Sequence, residues 1–175
     1  MRSNVVLTVT GADRVGIVEE VTKVLLDLGG NVETSRMARL GGEFAMLMLV
    51  SLSPEQLAGL DSALGQLTER GYQVATSLTQ RAYEEAHPGW IAYRIEVQGA
   101  DHEGIVHEIA AGLARRGISI ESAETSTASA PVSGTPLFSM TAQVMVPPGL
   151  DEAAWLSALD DAGRQSNVDI GVTAS

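Results

Sequence analysis

Apolar and polar positions along this chain change period in a fixed order, and then do so again. Residues 4–10 alternate, with Val5, Leu7 and Val9 against Val6, Thr8 and Thr10, and their β-branched content predicts a strand. Ile17, Val21, Val24, Leu25 and Leu28 then recur at helical spacing opposite Glu19, Glu20, Lys23 and Asp27, and the helix should stop at Gly29-Gly30. Alternation returns over residues 31–39, Gly41-Gly42 offers a hairpin turn, and residues 43–52 form a nearly continuous apolar run suited to a central strand. Ser53-Pro54-Glu55-Gln56 reads as a helix start, with an N-cap serine, proline at the first helical position and a glutamine closing a capping box. Leu57, Leu60, Leu64 and Leu67 continue that helix to Gly71, and residues 72–79 supply a fourth strand. The order βαββαβ is the split βαβ layout: an α+β unit with four antiparallel strands, in the order 4-1-3-2, backed by two helices.

The plan is written twice. Gly11-Ala12-Asp13-Arg14-Val15-Gly16-Ile17-Val18 reappears 88 positions later as Gly99-Ala100-Asp101-His102-Glu103-Gly104-Ile105-Val106, and 11 of the 31 positions from Val5 to Ser35 are identical in the second copy. A duplicated supersecondary unit follows, giving two ferredoxin-like domains at 1–79 and 90–175 with a linker at 80–89. In the second copy residues 90–98 form the first strand, Ile105, Ile109 and Leu113 face the core from the helix that Gly117 ends, and the second strand starts near Ile118. Residues 151–164 and 168–173 complete it. Six extra residues separate the second strand from Phe138, and the small-residue stretch 127–136 reads as a floppy hairpin tip rather than a lid.

Composition narrows the function. The net charge of -11 divides into 11 acids against 7 bases over residues 1–88 and 11 against 4 over 89–175, so neither half offers the basic surface that phosphate contacts need. No direct nucleic-acid partner is expected. The absence of cysteine removes disulfide and thiol chemistry, and no apolar run approaches a membrane span, so the chain reads as cytoplasmic with no membrane partner. No hydrolase signature or Walker loop is present, because the Gly-x-x-x-x-Gly of residues 11–16 lacks the following Lys-Ser/Thr. His102 and His107 lie five apart, the wrong spacing for two ligands on one helical face, so neither metal nor cofactor is expected and no catalytic residue is assigned.

What the repeat does offer is a strand-to-helix turn. Gly11 and Gly16 permit close backbone approach, Asp13 and Asp101 read foremost as N-caps and otherwise as ligand contacts, and the amides of the following helix start point outward at a small carboxylate-bearing ligand. Asn31, directly after Gly29-Gly30, is open to turn chemistry or ligand contact. Glu33 and Glu121 recur on the second strand, as edge protection or solvated face.

The turn, the helix after it and Gly29-Gly30-Asn31-Val32 resemble the ACT domain, a small regulatory module that binds amino acids. Two copies in tandem resemble the glycine cleavage system transcriptional repressor group. The resemblance implies a non-catalytic regulator that senses a small amino acid of the glycine or serine class and acts through a protein partner, a regulator or an enzyme. A scaffold without a ligand is the alternative. Strand 2 of each unit is an exposed edge, and antiparallel pairing of two such edges would form composite sites: Asn31 and Val32 with Gly99, Ala100, Asp101, Gly104 and Ile105, and Ser119 and Ile120 with Gly11, Ala12, Asp13, Gly16 and Ile17. Pairing between chains would give a homodimer instead. Asn31 carries both a donor and an acceptor where Ser119 has one hydroxyl, so the Asn31 site should be the tighter.

Overall fold

The computed structural model describes residues 2–79, 86–131 and 134–175. The chain divides into two compact units, Met1–Ala82 and Tyr83–Ser175. The expected linker at 80–89 falls mostly on residues 80–85, outside the described ones.

The first unit runs β1 (Ser3–Ala12), α1 (Ile17–Asp27), β2 (Asn31–Leu40), β3 (Glu43–Leu52), α2 (Pro54–Glu69) and β4 (Gln73–Thr79). Its sheet has the order β2-β3-β1-β4 with every neighbour antiparallel, the order the βαββαβ reading predicts. Val5, Leu7 and Val9 of β1 pack with Met46, Met48 and Val50 of β3 under Ile17, Val21 and Leu25 of α1 and Leu60, Leu64 and Leu67 of α2. Burial of these side chains, each worth about 1.5–3 kcal/mol, is what holds the helices on one face of the sheet. The capping box forms as its residues dictate: Ser53 Oγ accepts from the Gln56 amide and Gln56 Oε1 accepts from the Ser53 amide. The same Gln56 donates through Nε2 to the Gly29 carbonyl, tying the start of α2 to the end of α1. Gly41 and Gly42 both have positive φ, which lets the β2–β3 hairpin close in two residues.

The second unit repeats this with β5 (Ile91–Ala100), α3 (Ile105–Ala114), β6 (Ser119–Ser129), β7 (Pro136–Val146), α4 (Glu152–Gln165) and β8 (Val168–Ala174), in the sheet order β6-β7-β5-β8. Ile105, Ile109 and Leu113 face its core, as their spacing predicts, and Trp155 fills the centre with its ring edge-on to Tyr93 at 5.2 Å. The stretch 127–136 is not simply a tip. Thr127, Ala128 and Ser129 pair with Phe138, Leu137 and Pro136, so much of the insertion lengthens the hairpin and the connecting loop is only 130–135. Residues 132 and 133 of that loop lie outside the described ones. Small and β-branched side chains such as Thr127 fit a pleated ladder without needing a core, which is why apolar periodicity did not announce them.

The edge strands β2 and β6 each carry an irregularity that alternation does not reveal. The β2–β3 register shifts between Val32 and Thr34, and the β6–β7 register shifts between Ile120 and Ser122. Glu33 and Glu121 are thus bulge residues at equivalent positions, each the extra residue on its strand. No helix among the described residues is long and apolar enough to cross a membrane.

Candidate functional site

The repeated motif forms a tight turn between the first strand and first helix of each unit. Close packing favours glycine at both strand ends: a Cβ at Gly11 would lie 2.8 Å from Tyr72 Cδ1, and at Gly99 it would meet the Asn167 carbonyl oxygen at 2.9 Å and Val168 Cα at 3.0 Å. Gly16 and Gly104 are obligatory by conformation, with φ of 95° and 97° at the residue that opens each helix. The turns are anchored alike: the Asp13 amide donates to the Gly42 carbonyl and the Asp101 amide to the Pro136 carbonyl, each at 2.9 Å.

The helix starts differ from the N-cap reading. Gly16 and Gly104, not Asp13 and Asp101, are the N-caps, and neither helix has a side-chain cap. The aspartates sit three residues too early to reach the helix amides, and Asp13 instead accepts a long 3.4 Å contact from Arg39. By contrast, α2 and α4 are capped by Ser53 and Asp151. The two repeated turns are therefore where helix-start amides lack a carboxylate or hydroxyl of the protein's own, and where an outside carboxylate would gain both hydrogen bonds and the favourable end of the helix dipole.

Of the residues singled out from sequence, Gly11, Ala12, Asp13 and Gly16 gather at the first turn, and Gly99, Ala100, Asp101 and Gly104 at the second. Ile17 and Ile105 are 3% and 2% exposed, so their side chains belong to the cores and only their amides face the turns. Asn31 and Val32 open β2 at the opposite end of the sheet, since Asn31 pairs with Ser51 while Ala12 pairs with Glu43. One strand length, about 30 Å, separates them from the turn of their own unit. Ser119 and Ile120 stand likewise to the second turn. Asn31 is also committed: its Nδ2 donates to Glu33 Oε1 at 2.8 Å, and the Ser51 hydroxyl donates to the same oxygen at 2.6 Å. These bonds, from Ser51 first and Asn31 next, hold the Glu33 carboxyl below the usual carboxylate range.

The side chains that brace the two turns have diverged, as the change from Arg14-Val15 to His102-Glu103 between the two copies of the motif implies. Arg14 donates to both Glu20 oxygens at 2.8 and 2.6 Å and lies over the Tyr72 ring, 5.1 Å from its centre, while Arg70 approaches Glu20 at 3.3 Å. The Arg14 bonds, reinforced by Arg70, lower the Glu20 pKa. At the corresponding place in the second unit, His102 sets Nδ1 2.9 Å from the Glu103 carbonyl oxygen and Nε2 2.6 Å from the Ser166 carbonyl oxygen. A permanently charged clamp thus stands where the other unit has an imidazole.

Comparison with known proteins bears on both units. The model of the ACT domain matches residues 3–77. A UPF0237 protein of Methanopyrus kandleri is 36% identical over 97 residues, covering 55% of this chain and 93% of that protein. The glycine cleavage system transcriptional repressor of Escherichia coli K12 is 44% identical over 59 residues, covering 34% of this chain; the match spans 31% of the repressor's length. Among solved structures, an unknown protein from Galdieria sulphuraria superposes with a TM-score of 0.84 at 36% identity, covering 100% of this chain and 99% of the other. A structure provisionally assigned as a glycine cleavage system transcriptional repressor gives 0.72 at 23% identity, covering 100% of this chain and 98% of the other.

Proposed function

Since the chain belongs to the ACT-domain family, we propose that it is a non-catalytic regulatory protein that senses a small amino acid of the glycine or serine class and passes the signal to a protein partner. The observation that carries this reading is the pair of uncapped helix starts at Gly16 and Gly104. A ligand carboxylate on the amides that follow each glycine gains charge-assisted hydrogen bonds. The relatives named for transcriptional repression of the glycine cleavage system support glycine or serine as the class and a transcriptional role for the partner. An acidic chain, -11 overall, favours reaching DNA through that partner rather than directly.

Thermal denaturation with and without glycine, serine and the other common amino acids tests the reading. A ligand present at 100-fold its dissociation constant should raise stability by about 2.7 kcal/mol. No stabilisation by any amino acid would leave the units as a scaffold.

A further inference from the structure

The imidazole of His102 faces two carbonyl oxygens, and the chemistry of that arrangement is restrictive. Carbonyl oxygens only accept, and a neutral imidazole carries a single N–H, so it can satisfy one of the two contacts while its other nitrogen turns a lone pair toward the second oxygen. Only the imidazolium donates to both. One acceptor belongs to the turn itself, Glu103. The other, Ser166, is the C-cap of α4, whose last carbonyls have no donor within the helix and where the dipole favours positive charge.

We propose that His102 is a pH-dependent latch, joining the second strand-to-helix turn to the end of α4 when charged and releasing one of its two bonds when neutral. The surrounding charges agree with the charged form. Asp101 lies beside the ring on its own turn and favours the cation. Glu103 on the turn, Glu108 in the first turn of α3 and Asp169 at the start of β8 are acidic. Arg164, the basic residue in the last turn of α4, is bound by Asp160 at 2.7 Å and Asp161 at 2.6 Å. The bond to Ser166 and then that to Glu103 raise the His102 pKa above the ordinary histidine value; burial opposes them, and Asp101 adds the smallest push upward. A raised folded pKa means that the latch contributes fully below about 6.5, the unfolded value, and is lost as pH rises through the higher folded value. Arg14, at the matching position of the first unit, holds its charge throughout this range.

The latch stands on geometry alone; that it tunes ligand affinity at the second turn rests on the proposed function. The test is amide hydrogen exchange on the full chain across about pH 5.5 to 8.5, bracketing histidine titration. The Asp101 and Glu108 amides, bonded to Pro136 and Gly104 carbonyls, report the second turn, and Asp13 and Glu20, bonded to Gly42 and Gly16 carbonyls, are their counterparts in the first. Protection factors at Asp101 and Glu108 should fall about threefold or more relative to Asp13 and Glu20 as the ring nitrogens of His102 lose their second proton, the scale of one weakened hydrogen bond. His102→Arg should keep the protection high at every pH, and His102→Gln should remove the pH dependence. A constant ratio through the His102 titration, or a dependence that survives in His102→Gln, overturns the latch. Calorimetry with glycine on the same samples separates the two ideas: pH-independent exchange refutes the latch whether or not glycine binds, and a visible latch in a protein that ignores glycine refutes only the glycine assignment.

Discussion

The two strand-to-helix turns share a backbone and differ in what braces it. Both place glycine in the left-handed region before an uncapped helix, and both anchor the aspartate amide to the neighbouring hairpin. The bracing side chains are a carboxylate held by arginines in one unit and an imidazole held by carbonyls in the other. Their responses to pH have opposite signs. The depressed Glu20 pKa means its contribution is present above the ordinary carboxylate value and lost as acid brings the pH down through the folded value, whereas the His102 contribution is lost toward alkali. What the difference teaches is that duplication preserved the backbone of the turn and let the side chains behind it drift.

The comparison is broken most forcefully at the strand glycines. Gly99→Ala sets a methyl group against main-chain atoms, which cannot turn aside, and should destabilise by about 3 kcal/mol; Gly11→Ala meets a tyrosine ring edge that can yield, at about 1 kcal/mol. Urea unfolding separates the units, because both tryptophans, Trp90 and Trp155, lie in the second and report it alone, while circular dichroism follows both. A larger cost for Gly11→Ala would mean that Tyr72 is the more rigid neighbour.

Next in size is ligand affinity. On the composite-site expectation, Asn31→Ala weakens glycine or serine binding by about 1 kcal/mol and Ser119→Ala, with one hydroxyl, by less; a ligand held only by the turn of the first unit, one strand length or about 30 Å from Asn31, would be indifferent to Asn31→Ala. Calorimetry on both variants decides it, and a larger loss from Ser119→Ala reverses the assigned asymmetry. Smaller still, Glu20→Gln should flatten the acid limb of the first unit's stability without moving the tryptophan-detected transition of the second. Unfolding followed by both probes between pH 7 and about pH 2.5, a range that runs from above the ordinary carboxylate value of about 4.3 down through the lowered Glu20 titration, shows whether it does. The least effect is expected from Asp27→Asn, which removes the exposed Lys23–Asp27 pair that the second unit lacks, having Ala111 and Arg115 there. Melting should not change measurably.

Much of this architecture was legible because burial and turn chemistry act locally. Leu57 to Leu67 could only be an amphipathic helix once Ser53-Pro54 opened it, and Gly41-Gly42 fixed the hairpin that positions β2, a strand too exposed along its length to be secure from its own pattern. The tight strand-to-helix turns were legible from Gly11 and Gly16, but Asp13 misled, since an aspartate signals a cap only when it directly precedes the helix and here Gly16 does. The role of His102 had no local signal. Ser166, its partner, lies 64 residues away, and the bond exists only because the sheet brings the end of α4 beside the turn.

The bulges at Glu33 and Glu121 carry information about time. An extra residue appearing at matching places in two strands, between the pairs to Val50 and Leu49 in one and to Val144 and Gln143 in the other, is most simply inherited from one ancestor that already had it. The lengthened β6–β7 hairpin and the exchange between Arg14 and His102 occur once each, so they arose after the copies parted. The molecule thus holds a relative chronology: the kinked edge strand and the uncapped turn belong to the single-unit ancestor, and the difference between a permanently charged brace and a titratable one arose after the copies parted.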